Sequence, residues 1–388
     1  MESPNPLHIP ELLNHCIRLL RDSKSDLPAC ALVSRSWVQP SQSALFEDPG
    51  HWGHWGARKP DDDRHSWLHI LEVFQTSPHL IPHIRRLRLI IPDVGLFSKI
   101  CLLPFTHLQD VIIRRKFNHV SALSIQQLLS LPTLRRVDIY GYFEDPQIMP
   151  LIWRRCSPSI RTVSSFCLAF NPCILNPTET PCLPVVPLES LNMGADQGAP
   201  HWLQHDSFPF DLSRLRIFSL HDYSGTFSWK KFAPAIRTIE GLAFLIPRLE
   251  QPIDLSYFPK LEFLRVRVIT GDDMNDALWS NAVETFSTIP PSSRLRKVSF
   301  QGVLQARSCG KLDAVLARVL VRPFATVEVL DDRDGYDPVP YFPQLMSRNI
   351  VRGFVSIFFL SSTSHVASPS RRSLAAKSRY PDTDRHEN

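Results

Sequence analysis

Glycine is scarce in this chain, 14 among 388 residues, and none of it falls in a pattern that cradles a phosphate. Neither G-x-x-x-x-G-K nor G-x-G-x-x-G occurs, and no G-x-S-x-G turn presents a nucleophilic serine. Long hydrophobic runs are missing too. The longest, Phe354 to Leu360, falls far short of the ~20 residues of a membrane span. The opening MESPNPLHIP has no basic stretch ahead of an apolar one, so a signal peptide is not expected. Cysteine occurs eight times but never as C-x-x-C, and Cys167, Cys173 and Cys182 do not have zinc-ligand spacing. Most cysteines sit in apolar runs, where the residue acts as a small hydrophobe, which implies a reducing compartment. Charge of one sign is not in excess. The net +5 is scattered until the C-terminal tail and does not require a nucleic-acid partner. These absences lead us to expect a soluble protein of the cytoplasm or nucleus. No catalytic, cofactor-binding or metal-ligating residue stands out, so an enzyme is not expected.

Two sets of residues imitate a metal site. His51 and His54 lie three apart, but in a Gly-rich stretch with no further ligand nearby, which is a weak site. Asp61-Asp62-Asp63 and Asp272-Asp273 read as solvated acidic turns in loops.

Apolar residues are plentiful at 43 %, enough for a large core, and 388 residues exceed one compact domain. The stretch Leu7 to Phe46 is the most ordered in its spacing. Pro10 suits a first helical position, where its missing N–H has no intrahelical partner. Leu12, Leu13, Cys16, Ile17, Leu19 and Leu20 follow at helical spacing, as one apolar face. After a polar break, Leu27, Cys30, Ala31, Val33 and Trp37 repeat the period, and Pro40 is expected to stop that helix. At about 40 residues the unit is near the lower limit for folding alone. It carries more large apolar residues than short helices can bury among themselves. Some of Leu12, Ile17, Leu20, Val33 and Trp37 are therefore expected to lie exposed as a partner surface. Ile9-Pro10-Glu11-Leu12, with Leu27-Pro28-Ala29-Cys30-Ala31-Leu32-Val33-Ser34-Arg35-Ser36-Trp37, resembles the F-box. Cys16 and Ser34 depart from that family's usual residues, and the match covers roughly a tenth of the chain.

From residue 84 onward a second pattern recurs, apolar-x-x-apolar-x-apolar. It stands at Ile84-Leu87-Leu89, Leu108-Val111-Ile113, Leu134-Val137-Ile139 and Ile160-Val163-Ser165. It continues at Leu188-Leu191-Met193, Leu215-Phe218-Leu220, Ile236-Ile239-Gly241, Leu261-Leu264-Val266 and Leu295-Val298-Phe300. The steps are 24, 26, 26, 28, 27, 21, 25 and 34 residues, the mark of degenerate leucine-rich repeats, each giving a short strand to a curved parallel sheet. Ser124 to Ser130 and Ala277 to Ser287 read as helices of the convex side. Asn171 to Pro187, rich in proline, reads as irregular loop. Since no repeat buries its face alone, the ends need caps. The N-terminal helices with Trp67 to Phe74 would cover one end. Leu312 to Leu320, Val327 to Leu330 and Phe342 to Ile350 would cover the other.

The fold class expected is thus α/β: a small N-terminal helical F-box, then an irregular leucine-rich-repeat solenoid with a parallel sheet. The boundaries are 1–48 for the helical domain, 49–63 for a linker, 64–360 for the solenoid and 361–388 for a disordered tail. This order resembles the large F-box-like families of mushroom-forming fungi, whose chains end in a stretch like Phe342-Pro343-Gln344-Leu345-Met346-Ser347-Arg348-Asn349-Ile350-Val351. The resemblance implies docking on the Skp adaptor of a cullin–RING ubiquitin ligase and capture of an unknown target protein for degradation. Pro10, Leu12, Ile17, Leu20, Leu32, Val33 and Trp37 would make or fix the docking surface. On the sheet, Arg88, Ile112, Asp138, Ser219, Arg265, Arg267 and Ser299 alternate with the buried set and would face the target. The alternative is a leucine-rich-repeat interaction scaffold with no ligase role, its N-terminal helices acting only as a cap.

Overall fold

The computed structural model describes residues 9–21, 23, 25–49, 60–90, 93–143, 145, 148–168, 186–195, 208–222, 233–245, 252–267, 276–290, 292–301, 306–320, 325–331, 342–348 and 351–355. Three helices open the chain: α1 (Pro10–Leu19), α2 (Leu27–Val33) and α3 (Arg35–Phe46). Pro10 takes the N-terminal end of α1 as its chemistry predicts. Pro40 does not. The second helix already breaks at Ser34, whose extended backbone (φ −161°, ψ 165°) starts α3, and Pro40 lies inside α3. A proline removes only its own rung of the helix ladder, and Pro40 is buried. A fourth helix, α4 (Pro60–Thr76), begins seven residues before Trp67. It takes in Asp61 to Asp63, which are helical rather than looped and stand at the helix N-terminus, the end that favours negative charge. Most of the expected linker, 50–59, and the whole tail, 361–388, lie outside the described residues, as do His51 and His54.

Strands and helices then alternate: β1 (Arg86–Leu89), α5 (Val94–Cys101), β2 (Asp110–Phe117), α6 (His119–Leu129), β3 (Arg136–Phe143), α7 (Ile148–Trp153) and β4 (Thr162–Leu168). Next come β5 (Val186–Pro187), β6 (Ser190–Ala195), β7 (Phe210–Asp211), β8 (Ile217–Asp222), α8 (Ala233–Ile236), β9 (Gly241–Leu245) and β10 (Phe263–Arg267). The series ends with α9 (Asp276–Ser287), β11 (Lys297–Gln301), α10 (Ala306–Val319), β12 (Thr326–Asp331), α11 (Pro343–Ser347) and β13 (Val351–Val355). Eleven strands form one sheet in the order β1-β2-β3-β4-β6-β8-β9-β10-β11-β12-β13, parallel wherever neighbours pair. This is a leucine-rich-repeat-like α/β solenoid.

The repeat motif explains the register. Val111, Val137, Val163, Leu191 and Phe218 align across successive strands, and Ile113, Ile139, Ser165, Met193 and Leu220 form a second buried row. The first motif position, from Ile84 and Leu108 to Leu261 and Leu295, forms a third. Ser165 keeps its place as a buried polar residue. One repeat is corrected. Leu242 pairs with Phe218 and Leu264, and Phe244 with Leu220 and Val266, so the unit is Ile239-Leu242-Phe244 rather than Ile236-Ile239-Gly241. Ile236, buried in α8, had supplied a false first position three residues early. Val327 to Leu330, expected as part of a cap, is strand β12, and β13 extends the sheet again. Val186–Pro187, expected in irregular loop, pairs with Phe210–Asp211 as a second small sheet. Pro187 is tolerated because the N–H groups used are those of Val186 (to Pro209 O, 3.1 Å) and Leu188 (to Asp211 O, 3.0 Å).

Local signals place the helices. Helix α6 starts at His119, five residues before the Ser124 of the sequence reading. The Asn118 side chain accepts from the Ser121 N–H, and the Ser121 hydroxyl accepts from the Asn118 N–H, each at 3.0 Å. Near the C-terminal end, the buried Asp313 of α10 takes the Gln344 N–H at 2.8 Å and the Leu345 N–H at 3.0 Å. A carboxylate from one helix thus caps the first turn of the next. Asp313→Ala should cost about 2–3 kcal/mol by leaving those N–H groups without an acceptor. Asp313→Asn, which keeps one oxygen, should cost less; urea titration of both variants checks the ordering. Gly141, in β3, has φ +151°, and a Cβ there would stand 1.8 Å from the Arg115 carbonyl oxygen. Gly141→Ala should therefore lose about 3 kcal/mol or more, read as an earlier denaturation midpoint.

Candidate functional site

Two surfaces stand out among the described residues. The first belongs to the N-terminal helices, which have a small core of their own made by Leu13, Ile17, Leu27 and Ala44. Leu20, Cys30, Trp37 and Leu45 pack against it from its margin. The apolar face expected on α1 is in fact two faces. Leu13, Ile17 and Leu20 turn inward, while Ile9, Leu12, Cys16 and Leu19 lie exposed. The exposed four are spaced three, four and three apart, a second helical stripe. Sequence reasoning missed Ile9 and Leu19 because it counted all the apolar residues of the helix together. On α2, Leu32 is 88 % and Val33 64 % exposed.

The seven residues singled out in the sequence divide accordingly. Leu12, Leu32 and Val33 are exposed, and Pro10 is exposed at the helix start. Ile17, 1 % exposed, is part of the small core and touches no outside partner; it braces α1 from beneath. Leu20 and Trp37 are half-buried at the edge of the same core. The unit is also tied to the solenoid. The Glu47 carbonyl oxygen accepts from the Arg85 and Arg86 N–H groups at 3.0 and 2.9 Å, and Phe46 joins the main core with Phe74 at 6.2 Å. Arg21 holds the Glu47 carboxylate at 2.6 Å, and Arg88 holds Asp48 at 3.1 Å.

The second surface is the outward face of the large sheet. Arg88, Ile112, Asp138, Ser219, Arg265 and Ser299 fall in one register row, as the alternation predicted, with Arg267 two residues on from Arg265. Its charge is uneven. On β1 to β3 two ion pairs form: Arg86 with Asp110 at 3.2 Å, and Arg136 with Asp138 at 3.0 Å. Burial raises the Asp110 carboxyl above its ordinary range against the pull of Arg86 and Arg136. Burial, then the neighbouring Asp138, pushes the Tyr140 phenol up to about 12. The middle strands present Ser164, Asn192, Ser219 and Ala243, small and uncharged. Beyond them Lys297 pairs with Glu328 at 2.7 Å.

Among the described residues no group of three or more His, Cys, Asp and Glu could hold a metal ion. The described cysteines are Cys16, Cys30, Cys101, Cys156 and Cys309, all free. Burial pushes Cys101 and Cys309 up to about 12 and Cys156 to about 11, so these three stay protonated and unreactive. No described helix is long and apolar enough to cross a membrane.

No protein-family model matches the sequence, and none of the curated proteins does. Among solved structures the chain is similar to the leucine-rich repeat-containing protein LegL7 from Legionella pneumophila. The likeness has a TM-score of 0.39 at 12 % identity and covers 75 % of this chain and 94 % of that one. The repeat architecture stands on this chain's own parallel sheet, independently of that likeness.

The two faces of α1 and α2 should respond differently to charge. Ile17→Asp puts an unpaired carboxylate in the small core and should cost about 3 kcal/mol or more of local stability. Leu32→Asp, at an exposed position, should stay within about 0.5 kcal/mol of the parent. Hydrogen exchange of the α1 and α2 amides reads both.

Proposed function

We propose that this chain is a non-catalytic recruiting subunit of a cullin–RING ubiquitin ligase. In this reading the N-terminal helices act as an F-box on a Skp-type adaptor, and the outward face of the sheet holds a target protein. The observation that carries it is the exposure of Leu12, Leu32 and Val33 on a helical unit that already has its own core. Large apolar side chains on a protein surface mark a partner site when they cluster, and here they recur along one side of α1 and at the end of α2. Leu12, Leu32 and Val33 make the contact. Pro10 sets where α1 begins, and Ile17, Leu20 and Trp37 hold the two helices in fixed relation. The ubiquitin chemistry belongs to the partner enzymes, and this chain needs no cofactor or metal. It works in the cytoplasm or nucleus and contacts neither membrane nor nucleic acid.

A second reading is favoured by a different observation. Helix α3 leads into the Glu47 carbonyl that starts the solenoid's hydrogen-bond ladder, so the helices also serve as its cap. If capping is their whole role, the chain is an interaction scaffold with no ligase. The two readings part at one experiment. The purified full-length chain is tested for capture of the cognate Skp adaptor beside a Leu12→Asp/Val33→Asp double variant. The adaptor should be retained by the parent chain and lost by at least about tenfold in the variant, the effect of placing two charges in an apolar contact. A folded parent chain that retains no adaptor sinks the ligase reading and leaves the scaffold.

A further inference from the structure

The uneven outward face of the sheet points to the chemistry of what it holds. In the row that opens each strand, Ile217, Gly241 and Phe263 are direct neighbours on β8, β9 and β10. Ile217 is 55 % and Phe263 47 % exposed, two large apolar side chains one on each side of a glycine. With strands roughly 5 Å apart, the gap between them is about one side chain wide. Nothing in the fold demands glycine there. A Cβ at 241 would be in ordinary contact with Ile217, at 3.7 Å, and with the Arg216 carbonyl oxygen, at 4.0 Å, and the position has no left-handed backbone. A glycine weakens a strand, and Gly241 is buried at the foot of a shallow apolar cleft whose exposed walls are Ile217 and Phe263.

The cations beside the cleft are unmatched. Arg265 and Arg267 stand on β10, two and four residues from Phe263 and on the same side of the sheet. Neither makes an ion pair or a side-chain hydrogen bond among the described residues. The contrast lies within the same face: Arg86, Arg88, Arg136 and Lys297 each have a carboxylate within 3.2 Å. Ser299 is the register partner of Arg265 on β11. It is 4 % exposed, and its hydroxyl has no hydrogen-bond partner. A guanidinium next to an unpartnered hydroxyl offers donors to a carboxylate from two sides.

We propose that this part of the sheet binds an acidic segment of a partner protein. One apolar side chain of that segment seats over Gly241 between Ile217 and Phe263, and flanking carboxylates pair with Arg265, Arg267 and Ser299. The proposal names the target chemistry of the recruiting surface above and rests on that reading only for the biological use of the contact. A nucleic acid would be the other polyanion to fit two arginines, but its affinity comes from many phosphate contacts. Here four of the other cations on this face, Arg86, Arg88, Arg136 and Lys297, are already paired with Asp110, Asp48, Asp138 and Glu328.

The test uses the full-length chain and four fluorescein-labelled 12-residue probes. Three carry a central Leu flanked by Glu, by Lys or by Ser, and the fourth has Gly in place of Leu in the Glu background. Fluorescence anisotropy should give binding of the Glu–Leu probe at least about tenfold tighter than of any other, weakening as salt rises through the Debye regime. Arg265→Glu/Arg267→Glu and, separately, Gly241→Thr should each weaken it at least about tenfold. Gly241→Thr should melt no earlier than the parent, because a threonine suits a strand better than a glycine. Equal binding of the Glu, Lys and Ser probes overturns the proposal, as does binding that survives the arginine reversal. Tighter binding of an oligothymidylate than of the Glu–Leu probe overturns it in favour of nucleic acid. Capture of the Skp adaptor through α1 and α2 is measured on the same variants and should not change. Failure of the parent chain to bind the Glu–Leu probe while it still captures the adaptor sinks this inference alone, and probe binding without adaptor capture sinks only the ligase reading.

Discussion

One hydrogen-bond arrangement sets the geometry of the whole chain. The carbonyl oxygens of Glu47, Arg85, Gln109, Arg135, Arg161, Glu189, Arg216, Glu240 and Glu262 each accept two successive N–H groups from the following turn, at 2.8–3.1 Å. The donors are the residue that begins each strand and the one before it. Each of these turns is thereby locked to the last in the same phase, and a slip of one residue would exchange inward and outward side chains along that strand. Apolar burial supplies the driving force, about 1.5–3 kcal/mol for each enclosed Leu, Ile, Val or Phe. The carbonyl ladder decides which residues that force acts on. It starts at Glu47, immediately after α3, so the helical unit joins the solenoid through a backbone contact as well as through Phe46.

The side chains of the ladder residues follow the same spacing and add a line of charge at the strand starts. Arg161 meets Glu189 at 3.7 Å, and Arg216 meets Glu240 at 2.7 Å, each one turn apart. The Arg216 guanidinium hydrogen-bonds the Glu240 carboxylate, which raises the one and lowers the other from their ordinary values. Both groups are solvent-exposed, where such pairs contribute little to stability. Opposite signs meet at these two steps, whereas Arg135 and Arg161, and Glu240 and Glu262, are like-charged neighbours at successive turns.

Much of this was legible in the sequence because the physics is local. L-x-x-L-x-L names the three buried rows directly, and alternation then identifies Arg88, Asp138, Arg265 and Ser299 as outward without further information. The errors fall where two local signals overlap. Ile236 and Ile239 are both apolar and both buried, so spacing alone could not say which one opens the repeat; only pairing of Leu242 with Phe218 and Leu264 decides it. On α1 the apolar residues outnumber one face, and their division into an inward stripe through Leu13 and Ile17 and an outward stripe through Leu12 and Leu19 depends on where α2 and α3 pack. Pro40 looked like a stop because a helix break was due nearby. The break came at Ser34 instead, through an extended backbone. Asp313 was invisible, since its role is to receive N–H groups from Gln344 and Leu345, some thirty residues away.

The same lock that makes the sheet predictable leaves its outward face free to vary. Inward positions answer to the volume between neighbouring turns. Outward positions answer only to their neighbours across the face and to whatever binds there. Along β1 to β3 four of those neighbours satisfy one another, Arg86 with Asp110 and Arg136 with Asp138. Over β8 to β11 they do not. Ile217 and Phe263 face water across a glycine, and the Ser299 hydroxyl is enclosed without a partner. A buried hydroxyl that donates to nothing costs the fold about 1–3 kcal/mol. A long apolar side chain in water forgoes the burial that every inward row obtains. Both defects lie within three strands of each other, beside the two arginines of β10 that no carboxylate neutralises. Packing within the chain explains none of them, and a bound acidic segment would satisfy all three at once.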